Sequence, residues 1–195
     1  MAFHDILATL SVAIQVVILY LLADFIGGLF HWAEDTLGSE ASPIWGKVFV
    51  SPNVIHHDEP QRMNKIPWYI NNIANVLGAA AVVALFWAFG ALSWQVWVIA
   101  LIGACNQQVH RFSHAPSLRL PAPIRWMQRV GLIQGARHHW KHHTEPHLTN
   151  YCVLAPWLNP LLDRTGFWRA LERIFVPVFG APRRPDLAGK SWYKG

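Results

Sequence analysis

The sequence has little charge and little cysteine. Asp, Glu, Lys and Arg make up 14% of its 195 residues, well below the roughly 25% of a soluble domain. The two cysteines, Cys105 and Cys152, form no CxxC pair, so both are expected to be small buried apolar residues. The scarcity of charge, with apolar residues at 53% of the chain, indicates a protein of lipid membranes.

Three further absences narrow the functional classes. The leading residues, MAFHD, lack the Lys or Arg that precedes a secretory signal, so the uncharged run over residues 6–23 is expected to remain as a transmembrane helix. The basic residues, 16 against 11 acidic ones, follow no polar helix face, which favours anionic lipid head groups over nucleic acid as their partner. No GxGxxG motif is present, so no flavin or nicotinamide site is expected.

Long apolar runs predict an all-α integral membrane protein with three to four transmembrane helices. One run covers residues 6–30 and another covers 73–103, which is too long for a single span of about 20 residues. The second run is therefore predicted to be a helical hairpin that turns within residues 89–93. Its arms are expected to reach back to Trp68 and on to His114.

The other segments are expected to surround this membrane part. They are a polar loop over residues 36–68, a helix over 124–143, a re-entrant or interfacial segment over 151–160, and a short interfacial helix at Phe167–Phe179. One membrane-embedded domain is expected over residues 1–180, with a flexible basic tail over 181–195.

The positive charges predict the orientation. Lys47, Arg62 and Lys65 lie in the first polar loop and many arginines follow His110, whereas the hairpin turn has no Lys or Arg. By the positive-inside rule the histidine-rich loops are cytoplasmic. The short leading segment favours a bacterial inner membrane, or the endoplasmic reticulum membrane if the chain is eukaryotic.

Ten of the eleven histidines lie beside the predicted membrane helices. His110 and His114 are four residues apart and share a helix face, and HHWKHH repeats that spacing. Pro146 requires His147 to come from a turned segment. The candidate metal ligands are His31, His56, His57, His110, His114, His138, His139, His142, His143 and His147.

These histidines exceed what one metal ion needs. A zinc site uses three or four ligands, whereas two metals with about five ligands each would use nearly all of them. Imidazole binds Fe, Zn, Cu and Ni alike, so the spacing alone does not name the metal. Histidine boxes at the cytoplasmic ends of membrane helices point to a di-iron centre that activates O₂ beside a lipid chain, because a strong C–H bond requires a powerful oxidant.

Several carboxylates accompany the histidines. Asp35 follows His31 by one helix turn, and the two are expected to act together. Other carboxylates are expected to accept hydrogen bonds from imidazole N–H groups, and some could be ligands. Asp24, deeper in the first span, is either a functional group or a helix-end residue that reaches the interface. These remaining candidates are Asp24, Glu34, Asp58, Glu59 and Glu145.

Five ordered motifs between about residues 22 and 175 resemble the Kua/CarF family of membrane lipid desaturases. They are ADFIGGLFHWAEDTLGS, PIWGKVFVSPNVIHHDEP, NQQVHRFSH, HHWKHHTEPH and WLNPLLDRTGFWRALERI. One box reads HRFSH where the family often has HKWSH, a difference that bears on substrate choice. The family's motifs match His31, Trp32 and Asp35, the pair His56 and His57, and the boxes His110 with His114 and His139 with His142 and His143.

The resemblance implies an O₂-dependent desaturase with two iron ions. In animal members the reaction converts the 1-O-alkyl chain of plasmanylethanolamine to a vinyl ether, a plasmalogen, whereas plant members desaturate an acyl chain near its carboxyl end. Electrons then come from a separate carrier, such as a cytochrome b5-like protein or a ferredoxin. The residues implied to be catalytic are His31, Asp35, His110, His114, His139, His142 and His143.

Three alternatives remain open at the level of sequence. A fatty-acyl desaturase or hydroxylase would use the same centre, and box spacing does not separate it. A non-catalytic membrane metal-binding or signalling protein would bind metal without consuming O₂. A zinc hydrolase would need one catalytic Glu and would tolerate alanine at several of the histidines.

Overall fold

A computed structural model describes residues 3–184 and residue 186, and every regular element in this part of the chain is helical. Short turns lie at Gly46–Val50, which is π-helical, and at Pro60–Asn64 and Ser117–Arg119, which are 3-10. The α-helices are α1 (Phe3–Thr36), α2 (Ser51–Asp58), α3 (Trp68–Ala88), α4 (Trp94–His114), α5 (Ala122–Arg129), α6 (Ala136–His139), α7 (Asn159–Arg164) and α8 (Phe167–Phe179).

Two helices, His4–Thr36 and Trp68–Ala88, are long and apolar enough to cross a membrane. At 1.5 Å per residue α1 is about 50 Å long, which exceeds the ~30 Å hydrocarbon thickness. The predicted hairpin is confirmed, since α3 ends at Ala88 and α4 begins at Trp94. The α4 helix is as long as α3 at 21 residues, but it is more polar, and the number of membrane spans stays a prediction.

The histidine-bearing ends of the long helices meet at one end of the molecule. Gln95 near the start of α4 donates from Nε2 to Oε1 of Gln15 in α1 at 3.2 Å. Further along, Asn106 of α4 lies against Gly27 of α1, where a Cβ would come within 2.3 Å of the Asn106 amide. The α1 and α4 helices therefore run parallel, and α3 returns antiparallel to α4. Their arrangement brings the end of α1 beside the end of α4.

A loop from the C-terminal third packs against α1. Cys152 is fully buried against Gly28, where a Cβ would lie 2.7 Å from its Sγ. The carboxylate of Asp24 accepts hydrogen bonds from the backbone N–H groups of Leu154 at 2.8 Å and Ala155 at 3.2 Å. The segment predicted to be re-entrant or interfacial is thus buried inside the protein over residues 151–155. Asp24 anchors it.

The predicted helix at Phe167–Phe179 is confirmed as α8. Its inner face buries Trp168, Glu172 and Val176, which recur every four residues as an amphipathic helix requires. Its outer face exposes apolar side chains, including Val178 at 72%. An apolar outer face of this kind suits a helix that lies in a membrane interface.

The tail predicted over residues 181–195 falls mostly outside the described residues. Within its described part, Arg184 is 4% exposed and donates from NH1 to Oε1 of Glu172 at 3.0 Å. Ala181 is also buried. The chain therefore remains packed on α8 up to Arg184.

Three sequence expectations were wrong. Residues 36–68 form more than a loop, since they contain the π-helical turn and α2. The helix predicted over 124–143 is broken: α5 ends at Arg129, and Gly131 adopts φ +76°, a left-handed conformation that glycine tolerates. Cys105, expected to be buried, is exposed.

Candidate metal centre

Five imidazoles converge in what we call the five-histidine cluster. His56 comes from α2, His110 and His114 from α4, His139 from α6, and His143 from the turn that follows α6. The Nε2 atom of His139 lies 2.8 Å from that of His110 and 3.1 Å from that of His143. His143 Nε2 is 3.0 Å from His56 Nε2, and His114 Nε2 is 3.4 Å from His110 Nε2. All five ligand atoms lie within 4.8 Å of one another.

A second group, the His–Asp cluster, joins three imidazoles to one carboxylate. His31 and Asp35 come from α1, His57 from α2, and His142 from the turn after α6. Asp35 Oδ1 lies 2.9 Å from His57 Nε2, and Asp35 Oδ2 lies 3.3 Å from His142 Nε2. His31 Nε2 is 3.8 Å from Asp35 Oδ2. The two clusters adjoin, since the rings of His57 and His143 are centred 4.9 Å apart.

These distances fit metal coordination. Nitrogen ligands about 2.1 Å from one ion lie roughly 3.0 Å apart at a right angle and roughly 3.4 Å apart in a tetrahedron. The close Nε2 pairs of the five-histidine cluster are 2.8 to 3.4 Å apart. Two imidazole nitrogens can share only one proton, so five converging Nε2 atoms do not satisfy one another by hydrogen bonding. In the His–Asp cluster, the buried atoms His31 Nε2, Asp35 Oδ2 and His142 Nε2 have no hydrogen-bond partner among the described residues. Each cluster could therefore hold a metal ion.

Burial keeps the imidazoles of α2, of α6 and of the turn after α6 in their neutral form. Desolvation, reinforced by neighbouring imidazoles, holds the pKa of His56 and of His139 well below the usual range. The same causes lower the pKa of His143 to about 2. Burial also lowers the pKa of His57 and of His142, although Asp35 opposes the change. Neutral imidazole is the form that binds metal, so these side chains are available as ligands at neutral pH.

Backbone carbonyls orient two imidazoles of the His–Asp cluster. His31 Nδ1 lies 3.1 Å from the carbonyl oxygen of Tyr151, and His142 Nδ1 lies 2.9 Å from that of Thr149. A carbonyl oxygen only accepts, so each Nδ1 donates its proton and each Nε2 keeps a lone pair for a metal. The backbone of Thr149 and Tyr151, just before the residues that Asp24 binds, therefore sets the tautomers of both ligands.

The carboxylates predicted for this orienting role lie elsewhere. Asp24 binds the backbone of Leu154 and Ala155, and Glu34 is half-buried next to Asp35. Three others are exposed, and no hydrogen bond joins them to a histidine in the described part of the chain: Asp58, Glu59 and Glu145. Backbone carbonyls replace them, and a sequence carries no signal that marks a carbonyl group.

Two partners of the His–Asp cluster were not predicted from the sequence. Asn53, one helix turn before His57 in α2, donates from Nδ2 to Asp35 Oδ1 at 2.7 Å. Arg183 NH1 approaches the same oxygen at 3.6 Å. Asn53 therefore fixes the single carboxylate that the two clusters contain among the described residues, and the Arg183 cation lies beside it. The four-residue spacing of Asn53 and His57, which places them on one helix face, is the signal that could have identified Asn53.

Two predicted histidine ligands fall outside both clusters. Asn159 donates from Nδ2 to His138 Nε2 at 3.0 Å, which occupies that nitrogen. His147 adopts φ +59° in the predicted turned segment, and its Nδ1 lies 2.8 Å from the carbonyl oxygen of His142. Its ring is centred 4.6 Å from that of His57, at the edge of the His–Asp cluster. The structure thus gathers eight of the ten predicted histidines, together with Asp35.

Long apolar helices and a buried histidine-rich centre are the features of a metal-binding protein of membranes. Residues 20–186 match the family model described as the lipid desaturase domain. This chain therefore belongs to the lipid desaturase family, and the expected family resemblance is confirmed. It is an oxidoreductase that acts on lipid.

Curated relatives support the same assignment. A probable fatty acid desaturase of Acanthamoeba polyphaga mimivirus is 32% identical over 88% of this chain and 86% of its own length. Plasmanylethanolamine desaturase 1 of Mus musculus is 34% identical over 85% of this chain, and the plasmanylethanolamine desaturase of Myxococcus xanthus is 32% identical over 88%. The matches cover 65% and 63% of the last two proteins, slightly under two thirds. No solved structure matches the chain.

Proposed function

We propose that this chain is a di-iron, O₂-dependent desaturase that converts the 1-O-alkyl chain of plasmanylethanolamine to a 1-O-alk-1'-enyl chain. The observation that carries the proposal is the pair of adjoining clusters, which together present eight imidazoles and one carboxylate. A single zinc ion needs about half as many ligands. A second metal gives the remaining side chains a role.

In this proposal the five-histidine cluster holds one iron ion and the His–Asp cluster holds the other. Iron, when bound and reduced, supplies the activation of O₂ that removal of hydrogen from a saturated chain requires. The protein supplies neutral imidazoles, whose Nε2 lone pairs point inward. Asp35 supplies the negative charge, and Asn53 fixes its carboxylate by donating to Oδ1 at 2.7 Å.

The membrane arrangement in the proposal has three spans formed by α1, α3 and α4. Support comes from the two long apolar helices and from the pairing of α4 with α3 in one hairpin. The histidine end then lies at the border of the membrane, on the cytoplasmic side of a bacterial inner membrane. Residues 1–180 act as one membrane-embedded domain.

The substrate assignment is supported by the names of two relatives. Both the mouse and the Myxococcus proteins are named as plasmanylethanolamine desaturases. An ether phospholipid places its alkyl chain among the membrane helices and its head group at the border where the histidines lie. That geometry suits a reaction at the first carbons of the chain.

The proposal requires an external electron donor, such as a cytochrome b5-like protein or a ferredoxin. Arg137 and Lys141 are exposed and flank His139 in the chain. An acidic carrier docked on these cations would stand directly beside the five-histidine cluster. Electrons would then reach the centre from the water-exposed side, without crossing the membrane part.

A second candidate is desaturation of a fatty-acyl chain on the same centre. It is favoured by the mimivirus relative, which is named a probable fatty acid desaturase and which this chain covers over 86% of its length. The ligand clusters would serve both reactions equally. The two candidates differ only in the chain that is presented to the iron.

The first test is the appearance of acid-labile vinyl-ether lipid in a host that is supplied with alkyl-ether phospholipid. We expect vinyl ether with the native chain and none with the His142→Ala variant. If neither produces it while the purified native chain contains iron, the plasmalogen assignment is wrong and unsaturated acyl chains should be sought. If the native chain binds iron but consumes no O₂ with any lipid, the enzymatic proposal itself fails.

A further inference from the structure

A cavity of about 480 Å³ lies at the histidine-bearing end of α4, and its charged lining is entirely basic. It lies between the Pro60–Asn64 turn, the start of α3 and the end of α4. Three cations line it, namely Lys65, Arg111 and Arg119, and no carboxylate is among the lining residues. A site of this charge selects an anion.

Arg111 is held in a fixed orientation. Its NH2 donates to the carbonyl oxygen of Asn64 at 3.2 Å, which ties the end of α4 to the turn that precedes Lys65. A guanidinium has five N–H donors, so further donors remain for a ligand in the cavity. Their planar fork matches the oxygens of a phosphate group. Gln108, one turn earlier on α4, also lines the cavity.

Apolar side chains form much of the remaining lining, beside the amides of Gln61 and Asn64, and the cavity lies at the border of a candidate membrane span. Trp68 begins α3 and is 57% exposed, and Phe112 and Leu120 also line the cavity. A small water-soluble anion needs no such walls. A phosphate ester attached to glycerol and to lipid chains uses both the cations and the apolar surface.

We infer that this cavity binds the phosphate ester of the phospholipid substrate. The inference rests on the proposed function and names how the substrate is held. Arg111 directly follows His110 of the five-histidine cluster. Only the glycerol unit separates the phosphate of a phospholipid from the linkage of its first chain. One residue turns a helix by roughly 100° but advances it by only 1.5 Å. A phosphate held at Arg111 therefore keeps the first carbons of that chain at the height of the five-histidine cluster along α4.

The test measures lipid binding separately from activity. The iron-loaded full chain is purified in an uncharged detergent, and its unfolding midpoint is followed during titration with three probes. The probes are an alkyl-acyl phosphatidylethanolamine, the same alkyl-acyl glycerol without phosphate, and inorganic phosphate. We expect strong stabilisation by the phospholipid and little by the phosphate-free lipid.

Two variants of the cavity are compared. The Lys65→Gln/Arg119→Gln double variant removes two exposed cations, so folding and iron content are expected to be retained. Arg111→Lys keeps the positive charge but removes the planar guanidinium with its paired N–H donors. Each is expected to weaken phospholipid binding about tenfold, the loss of a charge-assisted contact. The control Arg173→Gln removes one exposed cation of α8, outside the cavity lining, and is expected to bind as the native chain does.

The outcomes separate the alternatives. Equal binding of lipids with and without phosphate would overturn the inference. Stabilisation by inorganic phosphate at the same concentration as the phospholipid would also overturn it, because the cavity would then be a site for free phosphate. If the variants bind phospholipid normally but accept electrons poorly from an acidic donor protein, the cavity belongs to a donor-docking surface instead. Because binding is measured without turnover, absence of vinyl ether would overturn the proposed reaction and leave this result standing.

In turnover assays the same variants are expected to raise KM for the ether phospholipid about tenfold and to leave kcat close to that of the native chain. Such a split indicates lost substrate binding and an intact centre. A loss of kcat with unchanged KM would show that the cations act on the metal centre, which would contradict the inference.

Discussion

His56 and His57 are neighbours in the chain, yet their Nε2 atoms belong to different clusters. His56 Nε2 lies 3.0 Å from His143 Nε2, whereas His57 Nε2 lies 2.9 Å from Asp35 Oδ1. The neighbours His142 and His143 are divided between the clusters in the same way. In α2 one residue turns the helix by roughly 100°, so His56 and His57 serve two adjoining centres. Because each pair has one ligand in each cluster, a shift of either pair would change the geometry of both clusters.

Removing a ligand is expected to abolish activity while the protein still inserts into the membrane. For His110→Ala and His139→Ala the five-histidine cluster loses a ligand, and for His142→Ala the His–Asp cluster does. We expect turnover to fall by at least about 100-fold, in line with the loss of a metal ligand. Iron content per chain and lipid turnover should be measured together in the purified variants. Near-native turnover in any of them would contradict its assignment as a ligand.

His4→Ala provides the histidine control. His4 begins the apolar span of α1, and 27 residues separate it from His31, a distance of roughly 40 Å along the helix. We expect native iron content and native turnover. An inactive His4→Ala variant would show that the N-terminal end of α1 has a role which the proposal lacks.

Asp35→Asn removes the negative charge of the His–Asp cluster but keeps the size of the side chain. Three imidazole Nε2 atoms face this carboxylate at 2.9 to 3.8 Å, and a neutral amide is a far weaker ligand for iron. We expect the iron content to fall towards one ion per chain and turnover to be lost. Asn53→Ala, which removes only the 2.7 Å hydrogen bond to Asp35 Oδ1, should retain both ions with reduced turnover. Two ions and native turnover in Asp35→Asn would exclude this carboxylate as a ligand.

Asp24→Ala is expected to destabilise the protein by loosening the loop over residues 151–155. The Asp24 carboxylate accepts hydrogen bonds from Leu154 and Ala155, and both N–H groups lie in the interior. Leaving them unsatisfied costs about 2–5 kcal/mol. Thermal unfolding in detergent measures the loss. Because the carbonyl of Tyr151 orients His31, iron should also dissociate faster, and an unchanged unfolding midpoint would contradict the anchoring role.

The metal-free protein is expected to lose stability in mild acid. The folded-state pKa values of His56, His139 and His142 lie below the ordinary 6.5. As the pH falls below about 6.5, the unfolded chain binds protons that the folded chain does not, so the free energy of unfolding decreases. Each such histidine contributes a slope of up to ~1.4 kcal/mol per pH unit. Unfolding midpoints of chelator-treated protein should be flat from pH 8 to 7 and fall from pH 6.5 to 5. A midpoint that rises in this lower range would show that the imidazoles are charged in the folded state.

The pattern of apolar residues predicted the helix bounds correctly where a helix is long or amphipathic. The hairpin turn between Ala88 and Trp94 and the bounds of α8 agree with the sequence analysis, since apolar runs and a 3.6-residue repeat depend on local sequence alone. The helix predicted over 124–143 failed because Gly131 and Gly135 interrupt it. His139 and His143 nevertheless meet in one cluster, through a turn rather than a continuous helix.

The sequence by itself determined the class of this protein: apolar helices in a membrane, imidazoles in excess of one metal, and motifs of a lipid desaturase family. Only the tertiary structure decided which side chains share a centre, because ligands from α1, α2 and α4 and from the turn after α6 meet through packing between distant segments. It also decided that Asp24 anchors a loop and that carbonyls orient His31 and His142. A carbonyl is present at every residue, so its role depends on where the folded backbone carries it.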